Sequence, residues 1–309
     1  MALPKDFIAI ADWSQEDLVR ALELAMEQKR TLKAEGKLPA EKAGKVLAVI
    51  FHKPSLRTRV SFEVAIGQLG GSSLYITDRE IGLGSREAPQ DVARVLERYV
   101  DGIMIRTYAH EGALALARNA TKIPVINGLT DLLHPCQVMA DLQTILEHKG
   151  TLEGQRIVYL GDGNNMANSW INAAARFPFE LVISNPSGYE PDAGVLENAR
   201  KINPGLRYEN ISDPAQAVDG ADVLYTDVWA SMGQEEEAAE RKAVFAPYQL
   251  NQSLLEKTGK KDSIVLHCLP AHRGDEITDE VIDGPRSVVF DEAENRMHAQ
   301  RAILSMVMK

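Results

Sequence analysis

Cysteine is nearly absent from this sequence: Cys136 and Cys268 are the only two in 309 residues. Two thiols are too few for a disulfide framework and suit a reducing, cytoplasmic compartment. Net positive charge is missing too. Lys+Arg of 34 against Asp+Glu of 44 leave a formal charge of -10, which repels polyanions and gives no global field for nucleic acid or an anionic membrane. Any cationic site must be local. No run approaches the ~18 uninterrupted apolar residues of a membrane span, and the opening Met1-Ala-Leu-Pro-Lys-Asp6 lacks the basic region and apolar core of an export signal. Neither membrane insertion nor export is expected. Tandem repeats, low-complexity tracts and Cys/His clusters of zinc spacing are lacking as well, so no metal is expected.

What is present is an ordinary globular composition, 45% hydrophobic and 25% charged. The chain exceeds the roughly 250 to 300 residues that one core usually organises, so two domains are expected. Apolar runs rich in Val and Ile fall at 46–51, 102–105, 123–126, 156–160, 179–184, 222–225, 263–266 and 287–290. Continuous rather than alternating apolarity is what a strand covered on both faces requires. Between them lie helical stretches at 16–34, behind a Ser14 cap, and at 58–69, 89–99, 136–148, 166–175 and 192–202. This alternation predicts an α/β fold, two domains each with a mainly parallel sheet flanked by helices. The polar stretch 148–155, with its two glycines, marks the boundary: 1–148 forms the first domain and 149–291 the second, and an amphipathic helix over 292–309 returns to the first.

Several clusters can carry chemistry. Lys53-Pro-Ser55-Leu-Arg57-Thr58-Arg59 follows a strand and opens a helix. Free N–H groups, hydroxyls and guanidiniums together suit a phosphate dianion, although a capped helix with solvated arginines has the same sequence. Arg106 ends a strand. His134-Pro-Cys136-Gln137 puts a histidine at the positive end of a helix, where it tends to be neutral and able to donate to a carbonyl oxygen, or simply to cap the helix. Gly161-Asp-Gly163-Asn164-Asn165-Met166 is reminiscent of a dinucleotide turn but lacks its third glycine and the acid about 20 residues on, which disfavours a nicotinamide cofactor. Asp227 at a strand end suits an ammonium group, while the acidic run 234–240 reads as solvated surface. His267 and Cys268 are adjacent on an extended strand and should point to opposite faces, so no catalytic dyad is expected from them. Arg296 lies on the terminal helix.

Taken together, Ser55-Leu-Arg-Thr-Arg59, Arg106-Thr, His134-Pro-Cys-Gln137, Asp227 with Ser231-Met-Gly233, His267-Cys-Leu-Pro270 and Glu294-Asn-Arg296 resemble, in order and spacing across the whole chain, the aspartate/ornithine carbamoyltransferase family. The later motifs are most like its ornithine branch. The resemblance implies transfer of the carbamoyl group of carbamoyl phosphate to L-ornithine, giving citrulline and phosphate in arginine metabolism. It also implies no cofactor and a homotrimer or a multiple of trimers. Carbamoyl phosphate would be held by Ser55, Arg57, Thr58, Arg59, Arg106, His134, Gln137 and Arg296, and ornithine by Asn165, Asp227, Ser231, Met232, Cys268 and Leu269. Arg57, Arg106, His134 and Cys268 would be the catalytic set. One departure stands out: many relatives place a Gln in a loop that reaches a neighbouring subunit, where this chain has Gly82, so Ser85 or Arg86 would supply that contact or the neighbour would contribute less. The rival readings are a different acceptor (putrescine or an acylated ornithine), a nicotinamide dehydrogenase, and a non-catalytic carbamoyl-phosphate-binding protein.

Overall fold

Five-residue runs such as Gly102–Arg106 and Val125–Leu129 are buried along their whole length. That is possible only in a sheet covered on both faces, and in the computed structural model every strand pair is parallel. The structure describes residues 3–82, 86–230 and 235–309. It divides into one unit of residues 1–143 with 295–309 and another of residues 144–294; the divisions fall inside the helices Pro135–Lys149 and Val289–Val307.

The first unit holds β1 (Val46–Phe51), β2 (Ser72–Thr77), β3 (Gly102–Arg106) and β4 (Val125–Leu129), in the order β2-β1-β3-β4. Ala48, Ile50, Ile103, Ile105 and Val125 pack with Val92, Ala93, Ala113 and Leu116 of the covering helices. Each Val, Leu or Ile among them contributes about 1.5–3 kcal/mol on burial. The second unit holds β5 (Arg156–Leu160), β6 (Glu180–Ser184), β7 (Tyr208–Asn210), β8 (Val223–Thr226) and β9 (Ile264–His267), in the order β7-β6-β5-β8-β9. Val158, Val182, Leu224 and Val265 form its core with Leu250, Leu255 and Ile282.

One expectation changes. Residues 287–290 are not a strand: Ser287 makes a single parallel bridge to Val265, and the helix Val289–Val307 begins two residues later. A short run of buried Val has no period that separates strand from helix. The acidic run lies at the surface as expected, residues 236–240 being exposed, in a 3-10 turn at Glu235–Glu237 leading into the helix Ala238–Phe245. Among the described residues no helix is long and apolar enough to cross a membrane.

Candidate active site

In the first unit the carboxyl ends of β1 and β3 are neighbours, Phe51 opposite Arg106. Ligands of open α/β sheets bind at this edge. The chain leaving β1 turns at 52–55 into the helix Leu56–Gln68, with Ser55 as its cap: Ser55 Oγ accepts from the Thr58 N–H at 3.3 Å. Arg106 is buried and pinned by donation from Nε to the Lys53 carbonyl at 3.2 Å.

Thr58 is the hub. Its Oγ1 receives Ser55 Oγ at 3.2 Å, Arg106 Nη1 at 3.4 Å and Arg296 Nη2 at 2.9 Å. Two guanidiniums and a second hydroxyl are thus gathered at one hydroxyl oxygen. His134 sits just before Pro135–Lys149, wholly buried. Burial first, then the charges of Arg296, Arg106 and Lys53, holds its pKa well below the usual histidine value, so the imidazole is neutral. Gln137, one turn on, donates from Nε2 to Asp141 Oδ1 at 2.8 Å. Burial pushes the Cys136 thiol up to about 12, which removes it as a nucleophile.

The other two arginines of the motif are placed differently. Arg57 is half-buried and its Nε is enclosed without a hydrogen-bond partner. Arg59 is exposed; its Nε bonds Glu63 Oε1 at 3.1 Å and its guanidinium lies 3.8 Å from the centre of the Tyr75 ring. Arg59 is therefore turned away from the Thr58 cluster. Lys53, which opens the motif but was not among the expected ligands, is buried with its Nζ 3.1 Å from Asp131. Its signal was a lysine two residues before the capping serine.

In the second unit the ends of β5, β8 and β9 align through Leu160, Thr226 and His267, bringing the glycine turn, Asp227 and Cys268 to one edge. Asn164 caps the helix Asn165–Ala174. Its Oδ1 accepts from Met166 N–H at 2.8 Å and from the Tyr159 hydroxyl at 3.1 Å, which leaves Nδ2 to donate to Asp227 Oδ2 at 3.0 Å. Burial, with Asp227 and Asp162 nearby, pushes the Tyr159 phenol well up, so it stays a donor. Asp227 Oδ1 accepts from the Val228 N–H at 2.8 Å and from the Cys268 thiol at 2.9 Å. Asn165 is half-buried at the first helical position beside this cluster. Asn164, not among the residues expected to hold ornithine, makes the Asp227 contact. Ser231 and Met232 lie outside the described residues, as does Ser85.

Gly163 is a glycine for reasons internal to the chain. A Cβ there would lie 2.3 Å from the backbone at Glu190 and Pro191, so the close approach in this turn is made by the protein's own backbone. Behind it, buried Arg241 bonds Asp162 Oδ2 and the Trp229 carbonyl, both at 3.0 Å.

The opposite-face argument for His267 and Cys268 fails, because the strand ends at His267 and Leu269 adopts φ 55°. Donor atoms of Asp227, His267 and Cys268 all lie within 4.8 Å of one another. The imidazole is nevertheless committed elsewhere: Nδ1 accepts from the Leu269 N–H at 2.9 Å and Nε2 donates to buried Glu276 at 3.0 Å. That leaves a carboxylate and a thiol, fewer than the ligands of a closed zinc site. The proton partner of Cys268 is Asp227.

Comparison with known proteins gives a consistent result. The family model of the aspartate/ornithine carbamoyltransferase carbamoyl-P binding domain matches residues 5–147, and that of the Asp/Orn binding domain matches residues 153–307. The chain is 53% identical over 306 residues to the ornithine carbamoyltransferase of Syntrophus aciditrophicus, covering 99% of this chain and 100% of that protein. It is 50% identical over 306 residues to the anabolic ornithine carbamoyltransferase of Pyrococcus furiosus, covering 98% and 96%. Solved ornithine carbamoyltransferase structures superpose closely. That from Pyrococcus furiosus gives a TM-score of 0.94 at 50% identity, covering 98% of this chain and 96% of the other. That from Thermus thermophilus gives 0.89 at 42% identity, with both chains fully covered.

Proposed function

The chain belongs to the aspartate/ornithine carbamoyltransferase family, and we propose that it carries the carbamoyl group of carbamoyl phosphate to the δ-amine of L-ornithine, giving L-citrulline and phosphate. The observation that carries this reading is the convergence of Arg106, Arg296 and Ser55 on the single hydroxyl of Thr58. Two guanidiniums and a second hydroxyl gathered at a strand edge beside a helix N-terminus suit an oxyanion-rich ligand. Ser55, Arg57, Thr58 and Arg296 neutralise the phosphate. Arg106 and neutral His134 donate to the carbonyl oxygen as it gains charge, and a single such donor is worth about 10²–10³ in rate.

The acceptor's ammonium group goes to Asp227, and its δ-amine attacks as the neutral base. The new C–N bond forms as the C–O bond to phosphate breaks, and the leaving phosphate takes the amine's proton. Asn164 and Cys268, both bonded to Asp227, hold its two oxygens in place. We assign the reaction to arginine biosynthesis, in line with the relative named anabolic.

We also propose a cytoplasmic homotrimer. Both cysteines are free. Leu56, Val60 and Val64 form an exposed apolar stripe along one helix, near exposed Leu74 of β2, and further copies of the chain would cover it. Equilibrium sedimentation tests this, with a monomer mass as the contrary result. The activity is tested by offering carbamoyl phosphate with ornithine, putrescine, aspartate or N-acetylornithine. Turnover with ornithine alone supports the reading; turnover only with another acceptor overturns the assignment made to Asp227.

A further inference from the structure

Arg301 is fully buried on the helix Val289–Val307. Among the described residues its guanidinium meets neutral acceptors: Nε bonds Gln28 Oε1 at 3.0 Å, Nη1 bonds Gln68 Oε1, and Nη2 bonds His298 Nδ1 at 2.8 Å. Burial lowers its pKa to about 10, which still leaves a cation at neutral pH. A buried cation without a carboxylate is costly, and an apolar side chain of like volume often serves a fold equally well. What it connects accounts for its place there.

The connections run to the phosphate cluster. Gln68 is the last residue of the helix Leu56–Gln68, whose first turn carries Thr58. The terminal helix therefore grips that helix at two points, Arg296 on Thr58 and Arg301 on Gln68. Thr58 and Gln68 are about 15 Å apart along their helix, and Arg296 and Arg301 about 7.5 Å along theirs. A single contact would leave a pivot; two so far apart fix the rotation of one helix on the other. Gln28 of the helix Gln15–Glu35 steadies the second point and returns its own Nε2 to Ser305 Oγ at 2.9 Å.

We propose that Arg301 is a positioning residue for carbamoyl phosphate: through Gln68 and Gln28 it sets the helix rotation that brings Arg296 onto Thr58. The proposal rests on the reading that the Thr58 cluster binds that substrate. The test uses Arg301→Met, Gln68→Leu and the double variant, each assayed for citrulline formation with either substrate varied. Each single variant should raise KM for carbamoyl phosphate roughly tenfold, within the ~10²-fold that a misplacement of about 1 Å can cost. KM for ornithine should stay within twofold, and the double variant should be no worse than the poorer single one. Melting temperatures measured alongside identify a merely structural role: a lowered Tm with unchanged KM for carbamoyl phosphate overturns the proposal, as does additivity in the double variant. If Arg301→Met fails to fold, the milder Gln68→Leu decides in the same way. Turnover by the parent chain in the same assay separates failure of the tether from failure of the functional reading.

Discussion

Replacing Thr58 by Val removes one oxygen and keeps the shape of the side chain. Thr58 Oγ1 accepts from Arg296 at 2.9 Å and from Arg106 at 3.4 Å; the second distance is close to the limit for a hydrogen bond, so one full charged bond is counted. Such a bond contributes about 1.5–3 kcal/mol, and a value near 2 corresponds to roughly 30-fold. We therefore expect kcat/KM for carbamoyl phosphate to fall roughly 30-fold, read from initial rates of citrulline formation at saturating ornithine. Thr58→Ser, which keeps the hydroxyl, should recover most of it. A folded Thr58→Val protein whose kcat/KM for carbamoyl phosphate stays within twofold of the parent would refute the role given to the hub.

Three further outcomes are expected. Asp227→Asn removes the charge meant for the acceptor's ammonium group, so KM for ornithine should rise about 10- to 100-fold while KM for carbamoyl phosphate stays put; equal rises in both would contradict the assignment. His134 is neutral in the folded chain, its pKa lowered by burial and by neighbouring cations. Below pH ~6.5 the unfolded chain therefore binds a proton that the folded chain refuses, and stability falls by up to ~1.4 kcal/mol per pH unit as pH drops from there toward the folded value. The urea midpoint of the parent should thus drop more between pH 7.5 and 5.5 than that of His134→Asn, and equal drops would count against a buried neutral imidazole. Gly163→Ala drives a Cβ to 2.3 Å from the backbone at Glu190 and Pro191; a loss of about 3 kcal/mol is expected from the overpacking, and an unshifted urea midpoint would show that the turn has room.

The central strands were legible because burial on both faces leaves an unbroken apolar run, as in Val46–Phe51 and Arg156–Leu160. The edge strands Ser72–Thr77 and Tyr208–Asn210 were not, since an edge strand in contact with solvent keeps Ser, Glu and Asn and loses that signature. Residues 287–290 misled for the converse reason: Val288 and Val289 are buried where a helix begins, while Phe290 is exposed. In the site, Ser55, Thr58, Arg106 and Arg296 meet at one oxygen although Arg296 lies more than 200 residues beyond Thr58. No local pattern contains that meeting; it was suggested only by the resemblance of scattered motifs. Arg59 shares the motif but faces Glu63 and Tyr75, because one residue along a helix rotates a side chain by about 100°. The turn's asparagines gave no sign of which of them meets Asp227, because cap and first helical position differ in direction and not in composition.

The most direct measurement follows the transferred carbon itself. Carbamoyl phosphate labelled with ¹³C at the carbonyl, mixed with ornithine and the protein, should give the ¹³C resonance of a δ-ureido group in step with released phosphate, one for one. Phosphate release without that resonance, or label on the α-nitrogen, would contradict the account.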